Sequence, residues 1–230
     1  AGSSNTVNYI SRDAERARRS FVEFAADPQF GDVRTFLRGK GLFNAEYIYE
    51  QTSAPGQALP LHFERFRANP ARMRIGAFRC GDGEMVYFTK EDTPTLRDLV
   101  VRVRASSTMP VIMPPVHLDG EVYVDGALGP SGGIALDVAK RDGFSKFLVI
   151  RTRERGYVKE PQRFSRALRA HYRKWPAVAD GLLERHRRYN ETVAELDQLE
   201  RDGKAMVFYP ENLTVSNGER DVAKLRADHE

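Results

Sequence analysis

Apolar and polar residues alternate along two neighbouring stretches, residues 72–80 and 84–90, on either side of Gly81-Asp82-Gly83. An alternation of period two places the apolar side chains on one face, which is typical of half-buried strands. The pattern therefore predicts an antiparallel hairpin. Two further short apolar runs, residues 146–152 and 204–209, do not alternate and predict buried strands.

Other segments have a helical period. Residues 13–26 carry alanine and phenylalanine at helical spacing, with Ser11 available as a cap, and predict an amphipathic helix on a core. Shorter helices are predicted at residues 33–38 and 45–51, and another is predicted at 218–230. The charged region between the last two strands also has apolar residues at helical steps, which are Trp175, Val178, Leu182, Tyr189, Val193 and Leu196.

Strands that alternate with helices predict an α/β protein, with a mainly parallel sheet covered on both faces in a three-layer α/β/α arrangement. A chain of 230 residues is long enough for one substantial domain, so we expect a single core over residues 1–230. Hydrophobic residues make up 41% and charged residues 30%, as in soluble globular proteins. No window approaches the roughly 18 apolar residues of a membrane span.

The single cysteine, Cys80, cannot form an internal disulfide, so a reducing cytoplasmic setting is the default expectation.

A second predicted hairpin ends at an acidic residue. Residues 95–109 predict a helix, and the prolines that follow, Pro110, Pro114 and Pro115, prevent it from continuing. Downstream, Asp119-Gly120 suits a tight hairpin turn because both residues tolerate positive φ. The hairpin delivers Asp125 to a strand end. Taken alone, Asp125-Gly126 is more often a plain turn than a catalytic motif.

Four segments of this region are Ala105-Ser106-Ser107, Met109-Pro110, Pro114-Pro115-Val116 and Asp125-Gly126-Ala127. With these spacings, the chain resembles the patatin-like phospholipase family over roughly residues 66–155. The resemblance implies a serine hydrolase in which an aspartate alone activates the serine, with no histidine, metal or organic cofactor. Asp125 would be that base, in an Asp-Gly-Ala motif completed by Gly126 and Ala127. A short, fixed side chain suits a general base, and Gly126 permits a sharp backbone turn beside it.

The first residues also resemble part of this family. Ala1-Gly2-Ser3-Ser4-Asn5 is similar to the segment just after the serine of a Gly-x-Ser-x-Gly nucleophile elbow. This resemblance implies that the nucleophile is the residue just before Ala1, and that the first strand of the sheet and the oxyanion loop also lie upstream. We therefore expect the domain to be incomplete at its N-terminus, and at its C-terminus as well. The chain as given should be inactive and prone to aggregate. A frayed terminus is the alternative interpretation of these small residues, and Ser3 and Ser4 would then pack or cap a helix.

Two other patterns lead to simpler interpretations. Four glycines follow Asp125, but the segment lacks the Gly-Lys-Ser or Gly-Lys-Thr ending of a phosphate loop. We therefore expect a flexible entry to a helix at 134–140. The glycines are Gly126, Gly129, Gly132 and Gly133. His117 stands near Asp119 and Glu121, but no second histidine has ligand spacing. We expect a solvated strand face there, and no metal site.

The formal net charge of +4 permits attraction to anionic lipid or nucleic acid without requiring either. Basic residues recur between residues 163 and 188, and four acidic residues follow them closely. This mixture favours a mixed-charge solvated helix face over transient contact with an anionic membrane surface. The acidic residues are Glu191, Glu195, Asp197 and Glu200. Aromatic residues do not interleave with the basic ones, so nucleic-acid binding is not expected. The basic run comprises Arg163, Arg166, Arg169, Arg173, Lys174, Arg185, His186, Arg187 and Arg188.

The function that these patterns predict is a lipid acyl hydrolase of the phospholipase A or esterase type, acting through an acyl-enzyme. Its substrate would be a lipid or another acyl ester. The competing hypotheses are a non-catalytic domain of the same fold that binds lipid or a protein, and an inert fragment.

Overall fold

A computed structural model describes residues 2–31, 41–211, 215, 219 and 221–229. The chain divides into two compact units. The first comprises Ala1–Ala77, Tyr87–Asp125 and Thr214–Glu230, and the second comprises Phe78–Val86 and Gly126–Leu213. Over the described residues, no helix combines the length and the apolar character needed to cross a membrane. The predicted helix at 33–38 and residue Ala1 lie outside the described residues.

The helices, in chain order, are α1 (Gly2–Ile10), α2 (Ala14–Arg18), α3 (Phe63–Ala68), α4 (Leu96–Ser107), α5 (Leu136–Arg141), α6 (Ser165–His171), α7 (Pro176–Arg201) and α8 (Val222–His229). The strands are β1 (Ile75–Arg79), β2 (Met85–Phe88), β3 (Val116–Leu118), β4 (Glu121–Asp125), β5 (Phe147–Ile150) and β6 (Ala205–Phe208). Shorter π-helical and 3₁₀ turns cover Arg19–Glu23, Phe24–Ala26, Tyr47–Gln51 and Gly126–Leu128.

The predicted helix over residues 13–26 is present as α2 and the two turns that continue it to Ala26. Its cap differs from the prediction. Asp13 Oδ1 accepts a hydrogen bond from the backbone N–H of Arg16 at 2.9 Å, whereas the Ser11 hydroxyl donates to the carbonyl of Val7 at the end of α1. Asp13 is the cap because its carboxylate lies one residue before the helix, where the unpaired N–H groups point.

Helix α4 begins at a capping box. Thr95 Oγ1 accepts from the backbone N–H of Asp98, and the Asp98 carboxylate accepts in return from the N–H of Thr95. Leu99 and Val103 lie on the buried face of the helix. The helix ends at Ser107, before the predicted end at residue 109 and before Pro110, which could not continue it.

Four strands form one sheet in the order β2-β1-β4-β3, and this sheet is antiparallel. Both predicted hairpins are confirmed, because β1 lies next to β2 and β3 pairs with β4. In the second hairpin Val116 faces Tyr123 and Leu118 faces Glu121. A short connection can reverse the chain but cannot cross it over, so these pairs had to be antiparallel.

Parallel pairing is found between β5 and β6, where Phe147 faces Ala205 and Ile150 faces Phe208. Their connection contains α6 and α7, and is therefore long enough for a parallel crossover. The prediction that both strands are buried is wrong for one face. Leu148 and Ile150 are 66% and 77% exposed, while Val207 on the other face is only 8% exposed.

The α/β class is confirmed by the helices and sheets of the described residues. A mainly parallel central sheet is not confirmed, because the larger sheet is antiparallel. The three-layer arrangement, the missing first strand and the single domain over residues 1–230 stay predictions.

Candidate active site around Asp125

The β3–β4 hairpin positions Asp125 at the last residue of β4. Asp119 and Gly120 form its turn with φ of 53° and 81°, which confirms that both adopt the left-handed region. Tyr123 and Val124 of β4 are buried, and Asp125 itself is half-buried. A carboxylate that follows a buried strand has a backbone fixed by the core, which suits a group that must keep one position.

The backbone of Asp125 is anchored to the end of helix α4. Its N–H donates to the carbonyl of Thr108 at 2.8 Å. The neighbouring residue, Ser107, is hydrogen-bonded through its hydroxyl to the hydroxyl of Ser3 in α1 at 3.0 Å. The first turn of α1 and the carboxylate-bearing strand end are therefore tied to two consecutive residues at the end of one helix.

Tyr49 is a third contributor to this site, and nothing in the sequence pattern indicated it. Burial raises the pKa of Tyr49, hydrogen bonds with Ser107 and Ser4 lower it, and the nearby charge of Asp125 raises it. The phenol is thus a neutral group at ordinary pH that connects α1, α4 and Asp125. The residue lies in a short apolar stretch without a motif, and only the packing of the π-helical turn Tyr47–Gln51 brings it here.

The elbow residues predicted at the start of the chain belong to α1 where the structure describes them. Gly2 is the first residue of α1 and is exposed, and a Cβ atom at this position would meet no atom within 4 Å. Ser3 and Ser4 hydrogen-bond within the site through Ser107 and Tyr49. Ala1 lies outside the described residues, so its role, and that of Gly2, as an elbow remnant stays a prediction. Asp125-Gly126-Ala127 as the catalytic motif stays a prediction as well.

His117 lies on β3 opposite Val122, with its side chain exposed. The neighbouring Asp119 carboxylate accepts a hydrogen bond from Arg102 Nη2 at 2.8 Å, so it stabilises the hairpin through a buried arginine. Within the described ranges, no group of three His, Cys, Asp or Glu side chains has the geometry to hold a metal ion.

The glycine-rich segment after Asp125 is not the flexible entry that we expected. Gly132 is buried with φ of 60°, and a Cβ atom there would lie 2.5 Å from Cα of Tyr189 in α7. Gly126 and Ala127 belong to a 3₁₀ turn that continues to Leu128. The carbonyl of Leu128 accepts from Arg188 Nη1 at 2.7 Å. Gly132 thus permits close approach of this loop to α7.

The amino-acid sequence of the chain matches the models of two protein families. The model of the patatin-like phospholipase family matches residues 1–136, and the chain therefore belongs to that family. A second model, described as a domain of unknown function, DUF6363, matches residues 175–230.

A curated relative is the uncharacterized protein YjjU of Escherichia coli (strain K12). It is 29% identical over 170 residues, which cover 72% of this chain and 45% of the relative. The chain thus spans less than half the length of this relative.

Proposed function

We propose that the intact protein is a lipid acyl hydrolase, of the phospholipase A or esterase type, that uses a Ser-Asp dyad. Asp125 is the general base and the serine immediately before Ala1 is the nucleophile. One observation carries the proposal: Ser3 is hydrogen-bonded to Ser107, and the next residue along, Thr108, accepts from the N–H of Asp125. The start of α1 is thereby held beside the strand end that bears the carboxylate.

The dyad would act in two steps. In the first, the serine hydroxyl attacks the ester carbonyl, Asp125 takes the hydroxyl proton, and collapse of the tetrahedral intermediate expels the alcohol, which receives that proton. In the second, water attacks the acyl-enzyme, Asp125 takes a proton from the water, and that proton returns to the serine as the fatty acid leaves. Each proton that Asp125 accepts is given back, so no histidine is needed.

Tyr49 acts as a positioning residue in this scheme. Its hydrogen bonds with Ser107 and Ser4 hold α1 against α4, and its neutral hydroxyl adds no charge beside the Asp125 carboxylate. A neutral neighbour leaves the carboxylate available as a base.

Replacement of the base tests the proposal in a form of the protein that carries the upstream serine. Asp125→Asn keeps the shape of the side chain and removes the base, so we expect kcat for a nitrophenyl ester to fall by at least ~100-fold with an unchanged circular dichroism spectrum. His117→Ala, an exposed change on the same hairpin, should leave turnover near the parental value.

The 230-residue chain is the negative control, since it should show no hydrolysis that a serine-directed phosphonate abolishes. Near-parental turnover by Asp125→Asn would show that the dyad is wrong. Lipid binding without hydrolysis by the longer form would favour the non-catalytic alternative.

A further inference from the structure

A second group of side chains, in the unit that contains α7, brings positive charges together. Arg151 follows β5, Lys159 lies in the loop beyond it, and Arg185 lies on α7; we call these three the Arg151 cluster. Among the ion pairs of the described residues, none involves a member of this cluster. By contrast, Arg187 on the same helix contacts both Glu184 and Glu191.

Arg151 is the most buried member, with 6% of its surface exposed. Its Nη2 donates to the hydroxyl of Tyr189 at 2.8 Å, and its Cζ lies 5.4 Å from the ring centroids of Tyr189 and Tyr209. Its Nη1 is buried and has no hydrogen-bond partner within the described part of the chain. An unpaired buried N–H of a charged group is costly, because the lost hydration is not replaced.

Lys159 lies close to the same ring. Its Nζ is 5.1 Å from the ring centroid of Tyr189. Burial, with the charges of Arg185 and then Arg153, lowers the pKa of Lys159 to about 8. Arg185 Nε is buried and, within the described residues, also has no hydrogen-bond partner. The cluster therefore concentrates positive charge at partly buried positions, where like charges repel each other most.

The backbone around the cluster is held in place. The side-chain amide of Asn190 accepts from Lys159 N at 2.9 Å and donates to Lys159 O at 3.1 Å. The N–H of Arg151 donates to the carbonyl of Phe208 at 2.9 Å. A strand end, a loop and a helix thus hold a set of cations together, and a backbone fixed in this way lowers the entropic cost of binding.

We propose that the Arg151 cluster is a binding site for a phosphoryl group. Arginine side chains match the oxygen geometry of phosphate, and a dianion compensates several converging cations better than a single carboxylate does. The site uses none of the residues assigned to the Ser-Asp dyad, so it stands whether or not the hydrolase proposal is correct. The phosphoryl group can come from inorganic phosphate or from a lipid headgroup, and the experiment separates the two.

Isothermal titration of the 230-residue chain with inorganic phosphate, at constant ionic strength set with chloride, tests the site. We expect binding that weakens about tenfold or more in Lys159→Met and in Arg185→Gln, since each removes one charge-assisted contact. Arg187→Gln is the matched control on α7, because its carboxylate partners lie outside the cluster, and it should bind as the parent does. Flotation with phosphatidic acid vesicles, against phosphatidylcholine vesicles, identifies a lipid source if only the former bind.

Proton uptake distinguishes a ligand-binding lysine from a structural one. Near pH 8, where Lys159 is partly neutral, a bound anion favours the ammonium form, so the chain should take up protons and the heat of binding should depend on the buffer. Lys159→Met should lose that dependence. Two outcomes overturn the proposal: equal phosphate binding by the parent and both cluster variants, or no binding of phosphate and of phosphatidic acid vesicles by the parent.

Discussion

Tyr49 shows how one side chain can connect three parts of the candidate site. It hydrogen-bonds with Ser107 of α4 and with Ser4 of α1, and the charge of Asp125 contributes to its raised pKa. Its neighbour Glu50 pairs with Arg104 of α4 at 2.8 Å, so two adjacent residues fasten this turn to one helix. The turn is therefore a support for the site.

Tyr49→Phe removes a hydroxyl that hydrogen-bonds to the buried Ser107, so we expect a loss of about 1 kcal/mol in the free energy of unfolding, measured in urea at neutral pH. The pH dependence has a definite sign. Burial raises the pKa of Tyr49 above 10.0, so the unfolded chain loses this proton first and stability falls as the pH rises through and above 10.0. The variant should show a shallower alkaline decline than the parent.

Tyr47→Phe is the control for this prediction, since Tyr47 lies on the same turn and its hydroxyl donates to Asp27 at 3.0 Å. Its hydroxyl is less buried than that of Tyr49, and we expect a smaller loss of stability. An alkaline decline in Tyr49→Phe as steep as that of the parent would contradict the role assigned to Tyr49.

At the scale of elements, the close packing of the glycine loop against α7 positions Tyr189. Gly132 lies against the backbone of this residue, and the Tyr189 ring and hydroxyl in turn hold Arg151. The side chain of Asn190, the next residue of α7, accepts a hydrogen bond from the backbone N–H of Lys159 and so fixes the loop there. The helix thus arranges the Arg151 cluster through two consecutive residues.

Substitution of Gly132 tests this packing. Gly132→Ala places a methyl group 2.5 Å from the Tyr189 backbone, so it must shift the loop or the helix as well as accept positive φ. Gly156→Ala is the matched control, because Gly156 has φ of 83° and no atom within 4 Å of a Cβ. We expect a loss of about 1–2 kcal/mol for Gly156→Ala and at least ~2 kcal/mol more for Gly132→Ala in urea unfolding. Equal losses would show that the contact with α7 does not matter.

At the scale of the whole molecule, the described residues include an exposed apolar face on the β5–β6 pair. Leu148 and Met206 are paired neighbours in the register and are 66% and 62% exposed. Ile150 and Phe208, the next pair along this face, are 77% and 53% exposed. Parallel strands in proteins usually have both faces covered, so this face is an unusual apolar surface.

We expect the 230-residue chain to bind the dye ANS and to self-associate through this face. The double variant Leu148→Thr, Met206→Thr keeps β-forming residues in the strands and should lower both the dye fluorescence and the weight-average mass in sedimentation. Tyr9→Thr, at an 81% exposed position on α1, is the control and should change neither. A double variant that binds dye and associates like the parent would rule out this face.

Patterns of neighbouring residues in the sequence predicted several elements of the fold correctly. The alternation around residues 81–83 and the Asp119-Gly120 turn predicted both hairpins, and the helical spacing from Val178 to Leu196 predicted α7. Asp125 was placed at a strand end for the same reason. Period and turn chemistry act over a few residues, so the chain encodes them without reference to distant segments.

Only the tertiary structure decided what those elements contact. Ser3 and Ser107 are 104 residues apart, and Tyr49, which no sequence motif indicates, contacts Ser107 and Ser4. Within the basic run, Arg169 and Arg187 pair with carboxylates, whereas Arg185 joins Arg151 and Lys159, which lie outside the run. Apolar patterns also misled us about β5 and β6, because a pattern shows which face can be buried and only packing shows which face is covered.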